Sequence, residues 1–111
     1  MCIRDSYGRP LLISETGAEG TAKASWIHYV CGEVRAAQRA DVPIEGICLY
    51  PILDYPGWEN DRPCEVGLFS MPERDGRRAT DTDLADELAR QQTAFAASAT
   101  PDRCYDARAI A

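Results

Sequence analysis

The chain is poor in the residues that build metal and redox centres. It has a single histidine, His28, and its five cysteines stand apart at positions 2, 31, 48, 64 and 104. No two of them have C-x-x-C spacing, whereas a zinc site needs clustered thiolates or imidazoles. An odd set of scattered thiols argues against a disulfide framework and suits a reducing compartment, so a cytoplasmic location is the expectation. Long apolar runs are also missing. None approaches the roughly 20 residues that span a bilayer, and the opening Met1-Cys2-Ile3-Arg4-Asp5-Ser6 lacks the apolar stretch of a secretory signal. Those six residues resemble a translated adapter scar. Residues 1–8 are therefore set aside as a leader, and residues 98–111, which lack a clear period, as a flexible tail. Positive charge is in short supply as well: 12 Lys and Arg against 18 Asp and Glu leave a net charge of −6. That disfavours nucleic acid and anionic membrane surfaces as partners.

What is present suits one small α/β unit. Leu11-Leu12-Ile13-Ser14 is a continuous apolar run, the pattern of a strand buried on both faces. It stops at the polar, glycine-containing Glu15–Gly20. From Thr21 or Ala22 to Arg39 the apolar positions Trp26, Val30, Val34 and Ala37, widened by Ile27 and Cys31, keep the helical period until Pro43 blocks continuation. Ile44–Leu53 reads as a second buried strand, which makes a βαβ unit with parallel strands. Pro51–Arg78 is irregular, with only Val66–Phe69 as a short apolar run. Loops of that length in compact domains are usually functional. A last helix is expected over Thr82–Ala97, with Leu84, Leu88 and Phe95 on its apolar face. The order is βαβα. Ligands of α/β folds bind at the carboxyl ends of the strands. A (β/α)₈ barrel places its active site there and needs about 250 residues, so this chain could supply two of the eight units.

Two features lie at that edge. Glu15 ends the first strand, where its carboxylate can meet a ligand; the plainer reading is a solvated loop glutamate or a partner of Arg9. After the second strand, Tyr50, Asp54, Tyr55, Trp58, Glu59, Asn60 and Asp61 fall close together. Sugars offer apolar C–H faces to aromatic rings and hydroxyls to carboxylates and amides, so this mixture suits a carbohydrate. Equally, Tyr50 and Trp58 could be a packing cluster that pins the loop. His28 reads as a structural or solvated helix residue. Arg62, Arg77 and Arg78 read as braces of the long loop.

Ile13-Ser14-Glu15-Thr16-Gly17 resembles the I-[ST]-E-N-G stretch of family one glycoside hydrolases, the β-glucosidase type. Gly46-Ile47-Cys48-Leu49-Tyr50-Pro51-Ile52-Leu53-Asp54-Tyr55-Pro56-Gly57-Trp58 resembles that family's later G-x-x-x-W-S-L-x-D-N-F-E-W segment, and Gly67-Leu68 its following G-L step. The resemblance covers about residues 9–92. Thr16 stands where the family has Asn, Tyr50 where it has the tryptophan beneath the reactive sugar, and Gly57 where it has a glutamate that bonds distal hydroxyls. The family has a non-proline cis bond after that tryptophan. A cis bond is far less costly before proline, so Tyr50-Pro51 is expected to be cis.

The resemblance implies that residues 9–97 are the last two units of a TIM-barrel retaining glycosidase, with no metal or organic cofactor. Glu15 would be the nucleophile, and Tyr50, Asp54, Trp58, Glu59 and Asn60 would contact the glycoside. The acid/base, near the end of strand four in related barrels, would lie in the missing N-terminal part, which is then the chain's natural partner. The 111-residue chain alone would be inactive. Two other readings remain: a carbohydrate-binding barrel piece without catalysis, and a small α/β interaction module complete as it stands.

Overall fold

A computed structural model describes residues 8–98. The expected leader and tail, with Cys2 and Cys104, lie outside them, apart from Gly8 and Ser98. The described elements are β1 (Leu11–Thr16), α1 (Ala22–Arg39), β2 (Ile44–Leu49), β3 (Tyr55–Pro56), β4 (Pro63–Cys64) and α2 (Thr82–Ser98).

β1 and β2 pair in parallel, as the βαβ reading requires. Their register is not uniform. Ile13 faces Ile47 and Thr16 faces Leu49, so three steps along β1 match two along β2. One extra residue is thus accommodated at Ser14-Glu15, the arrangement of a β-bulge. β1 runs two residues past the end of its apolar run, to Thr16. β2 stops at Leu49, before Tyr50 and well short of Leu53, because Pro51 has no N–H to extend the ladder. The Tyr50-Pro51 bond is cis, as expected.

α1 has the expected bounds. Its end is a Schellman turn: Asp41, in the left-handed conformation at φ 62°, donates its N–H to Gln38, and Val42 donates to Ala37. Asp81 precedes α2 and caps it: its carboxylate accepts the Leu84 N–H at 3.0 Å. The two helices pack on each other and on one face of the sheet. Ile27, Cys31 and Leu84 form the core, with Ile47, Leu49, Leu68, Leu88 and Phe95 against it.

Three expectations need correction. The buried stripe of α1 is Lys23, Ile27, Val30, Cys31 and Val34 rather than one led by Trp26. Trp26 is displaced to the edge, where its ring lies 5.9 Å from that of Tyr29. The strands are not buried on both faces: Leu12 is 64% exposed and Tyr50 53%, because both helices cover the same side and no described residue covers the other. The long loop is also more ordered than its composition suggested. β3 and β4 make a small antiparallel hairpin, and Phe69 bridges to Leu53 and Thr80. Proline at an edge leaves no ladder bond unmade, so Pro56 and Pro63 are tolerated there.

Candidate functional site

The C-terminal ends of β1 and β2 bound an open cleft of about 460 Å³, lined by Glu15, Thr16, Gly17, Glu19, Tyr50 and Pro51 among others. Each side of the cleft is held by backbone. Tyr50 donates its N–H to the Thr16 carbonyl at 3.0 Å. Gly17 packs so closely on the Tyr50 carbonyl that a β-carbon there would collide with it. On the other side of Thr16, the Trp26 indole N–H donates to its hydroxyl at 2.8 Å. Glu15 is exposed beside this pinned segment. Among the described residues no hydrogen bond or ion pair engages its carboxylate, Arg9 included, which leaves its oxygens open to an incoming group.

The second carboxylate in the cleft is different. Glu19 is bonded to the Arg62 guanidinium at 2.5 Å, and that hydrogen bond holds its carboxyl below the ordinary value. A carboxyl so held stays ionised and is a poor proton donor. The same pair ties the loop after β1 to the β3–β4 hairpin, whose tip runs from Gly57 to Arg62 with a 2.8 Å bond between those residues.

The remaining expected site residues are distributed between the hairpin and the interior. Trp58, Glu59 and Asn60 sit on the hairpin tip. Trp58 is 95% exposed, an indole left to solvent with no described packing role. Asn60 turns back to accept the Arg62 N–H at 3.2 Å. Asp54 has a structural place instead. It is buried, and its carboxylate accepts the Gly67 N–H at 2.6 Å. Gly67 approaches the Leu53–Asp54 backbone too closely for any side chain. The structure therefore brings Glu15 and Tyr50 into one cleft, places Trp58, Glu59 and Asn60 on a hairpin tied to its rim, and sets Asp54 in the lining of a second cleft.

A larger cleft, about 820 Å³, lies between α1, α2 and the loop that precedes α2. Several of its charged groups are bonded to neighbours, while no described residue engages the carboxylates of Glu65, Asp83 and Asp86 in the same lining. Lys23 bonds Asp81 at 2.7 Å and the Gly67 carbonyl at 3.0 Å. Glu87, 5% exposed, accepts from Gln91 at 2.6 Å, His28 at 2.8 Å and Arg90 at 2.7 Å. The Gln91 amide above all, then Arg90 and His28, hold the Glu87 carboxyl down to about 2 against the opposing pull of burial. Such pairs brace the helices, whereas the smaller cleft lies at the carboxyl ends of the parallel strands, where α/β folds bind ligands, and is the better candidate.

Several of these residues are not evident from sequence alone. Lys23 has a faint signal, a charge on the apolar stripe of a helix. Glu87 and Gln91 have the helical i, i+4 spacing. The Glu19–Arg62 and Thr16–Trp26 pairs have none, since each joins segments that meet only in three dimensions. Arg78 braces the loop as anticipated, by donating to the Ser70 carbonyl at 2.7 Å, while Arg77 pairs locally with Asp75. His28 is structural. Cys31, Cys48 and Cys64 are free thiols, and burial raises the Cys31 thiol. No helix among the described residues is long and apolar enough to cross a membrane.

No protein-family profile and no curated protein matches the chain. A solved structure does: the apo form of a β-glucosidase, β-glucosidase 1317, superposes with a TM-score of 0.64 at 17% identity over 77% of this chain. The chain spans only 22% of that protein's length. The mixed α/β fold described above thus resembles a fragment of a β-glucosidase barrel.

Proposed function

We propose that this chain supplies the nucleophile of a retaining glycoside hydrolase of β-glucosidase type, as the last two units of its (β/α)₈ barrel. The observation that carries the reading is Glu15, engaged by none of the described residues, at the carboxyl end of a parallel strand and in one cleft with Tyr50, within a fold shared with a β-glucosidase. In such a site a Glu15 oxygen attacks the anomeric carbon as the bond to the leaving oxygen breaks. A carboxylic acid across the cleft gives that oxygen its proton, then takes one from water as the water displaces Glu15. Retention needs the two carboxyls about 5–5.5 Å apart. Glu19 is unsuited to the acid role because Arg62 keeps it ionised. As the resemblance implies, the acid/base comes from the rest of the barrel, and these residues alone are inactive. Tyr50 would lie under the reacting sugar, with Trp58, Glu59 and Asn60 reaching it from the hairpin.

Glu15→Gln in the full-length protein is the test. A lost nucleophile lowers kcat by orders of magnitude, whereas a lost sugar-binding group mainly raises KM. Near-normal kcat in Glu15→Gln would sink the proposal.

A further inference from the structure

Glu15 sits on a bulge, where β1 carries one residue more than β2 can match. Bulges re-aim side chains, but they also remove the ladder bonds that would hold them still. The first residue beyond the bulge is Thr16, and it is held twice. Its carbonyl accepts the Tyr50 N–H at 3.0 Å. Its hydroxyl accepts the Trp26 indole N–H at 2.8 Å, from the second turn of α1. Trp26 is itself steadied by the Tyr29 ring.

We propose that Thr16 and Trp26 are positioning residues for Glu15: the indole–hydroxyl bond fixes the peptide that follows the bulge and so sets where the carboxylate points. The inference rests on the reading of Glu15 as nucleophile. Three observations support it. Trp26 stands outside the buried stripe of its helix, so burial in the core does not account for its place. The bond joins groups ten residues apart, next to a carboxylate that no described residue engages. Finally, Thr16 is one of the positions at which the sequence departs from the glycosidase pattern, and here its hydroxyl has a partner. Reaction geometry is sensitive to displacements of about 1 Å, which can cost about a hundredfold in rate.

The test compares Glu15→Gln, Trp26→Phe, Thr16→Val and Thr16→Ser in the full-length protein, with p-nitrophenyl β-D-glucoside and β-D-galactoside as probes. Trp26→Phe keeps the ring but loses the donor; Thr16→Val keeps the shape but loses the acceptor. Each is expected to lower kcat about 10- to 100-fold with KM within about twofold, and the double variant to be no worse than either single one. Thr16→Ser, which keeps the hydroxyl, is expected to restore most of kcat. Melting curves identify any variant that does not fold; if Trp26→Phe is lost that way, the two Thr16 variants carry the comparison. Unchanged kcat in Thr16→Val, alongside an inactive Glu15→Gln, overturns the positioning inference and leaves the nucleophile reading intact. A Glu15→Gln protein with full turnover, or a parent protein inactive on both probes, overturns both.

Discussion

A β-carbon at position 17 would run into the carbonyl oxygen of Tyr50, a backbone atom that cannot swing aside. Gly17→Ala is therefore expected to destabilise by about 1–3 kcal/mol, the range for overpacked sites, and to distort the cleft. Gly32 offers the control: it lies inside α1 with nothing near its missing β-carbon, so Gly32→Ala should be neutral or stabilise by up to about 1 kcal/mol. Urea unfolding of both variants in the full-length protein checks the pair, and equal effects would refute the close-packing account. At this scale the sequence was partly legible. Glu15 was identifiable as a strand-end carboxylate from the apolar run before it and the polar residues after it. Its bulge was not, because register is a relation between two strands. Asp54 looked like one of a group of ligand-facing residues, yet its burial against Gly67 follows from a chain reversal that no local spacing encodes.

The two helices show how far periodicity reaches. Their bounds follow from spacing and from stop signals such as Pro43, and α2 ends one residue beyond expectation. The face each presents was read less well, since Trp26 and Lys23 exchange the places that hydropathy assigns them. Between the helices, Glu87 gathers Gln91, His28 and Arg90 into a clamp, and Gln91 in turn accepts from Arg35. This clamp has a pH signature. The Glu87 carboxyl titrates near 2 in the folded chain against an ordinary 4.5. Between those values the folded state binds fewer protons than the unfolded one, so the clamp's contribution is complete above about pH 4.5 and is lost as pH falls toward 2. Denaturant midpoints of the full-length protein measured across that window should fall more steeply for the native sequence than for Glu87→Gln. Asp81, also lowered by its bond to Lys23, leaves a residual slope in the variant. Parallel curves would show that Glu87 is not the coupled group.

For the molecule as a whole, the decisive feature is the sheet's second face. Leu12 and Tyr50 lie open on it, and among the described residues the two strands pair only with each other, which leaves two edges free. Exposed edges and apolar faces promote association. The isolated 111-residue chain is therefore expected to unfold without a sharp transition, bind a hydrophobic dye and show no glycosidase turnover. A monomer with cooperative urea unfolding and turnover of its own would reject the barrel-fragment reading. Composition, helical period and the order of the apolar runs determined the βαβα arrangement and put Glu15 at a strand end, because those signals depend only on neighbours along the chain. Among the described residues, the tertiary structure decided which strand face is bare, which carboxylate is left uncommitted and which is tied to Arg62, and that an indole holds the residue after Glu15. Those are relations between distant segments, set by register and packing, and they exist only once the chain has folded.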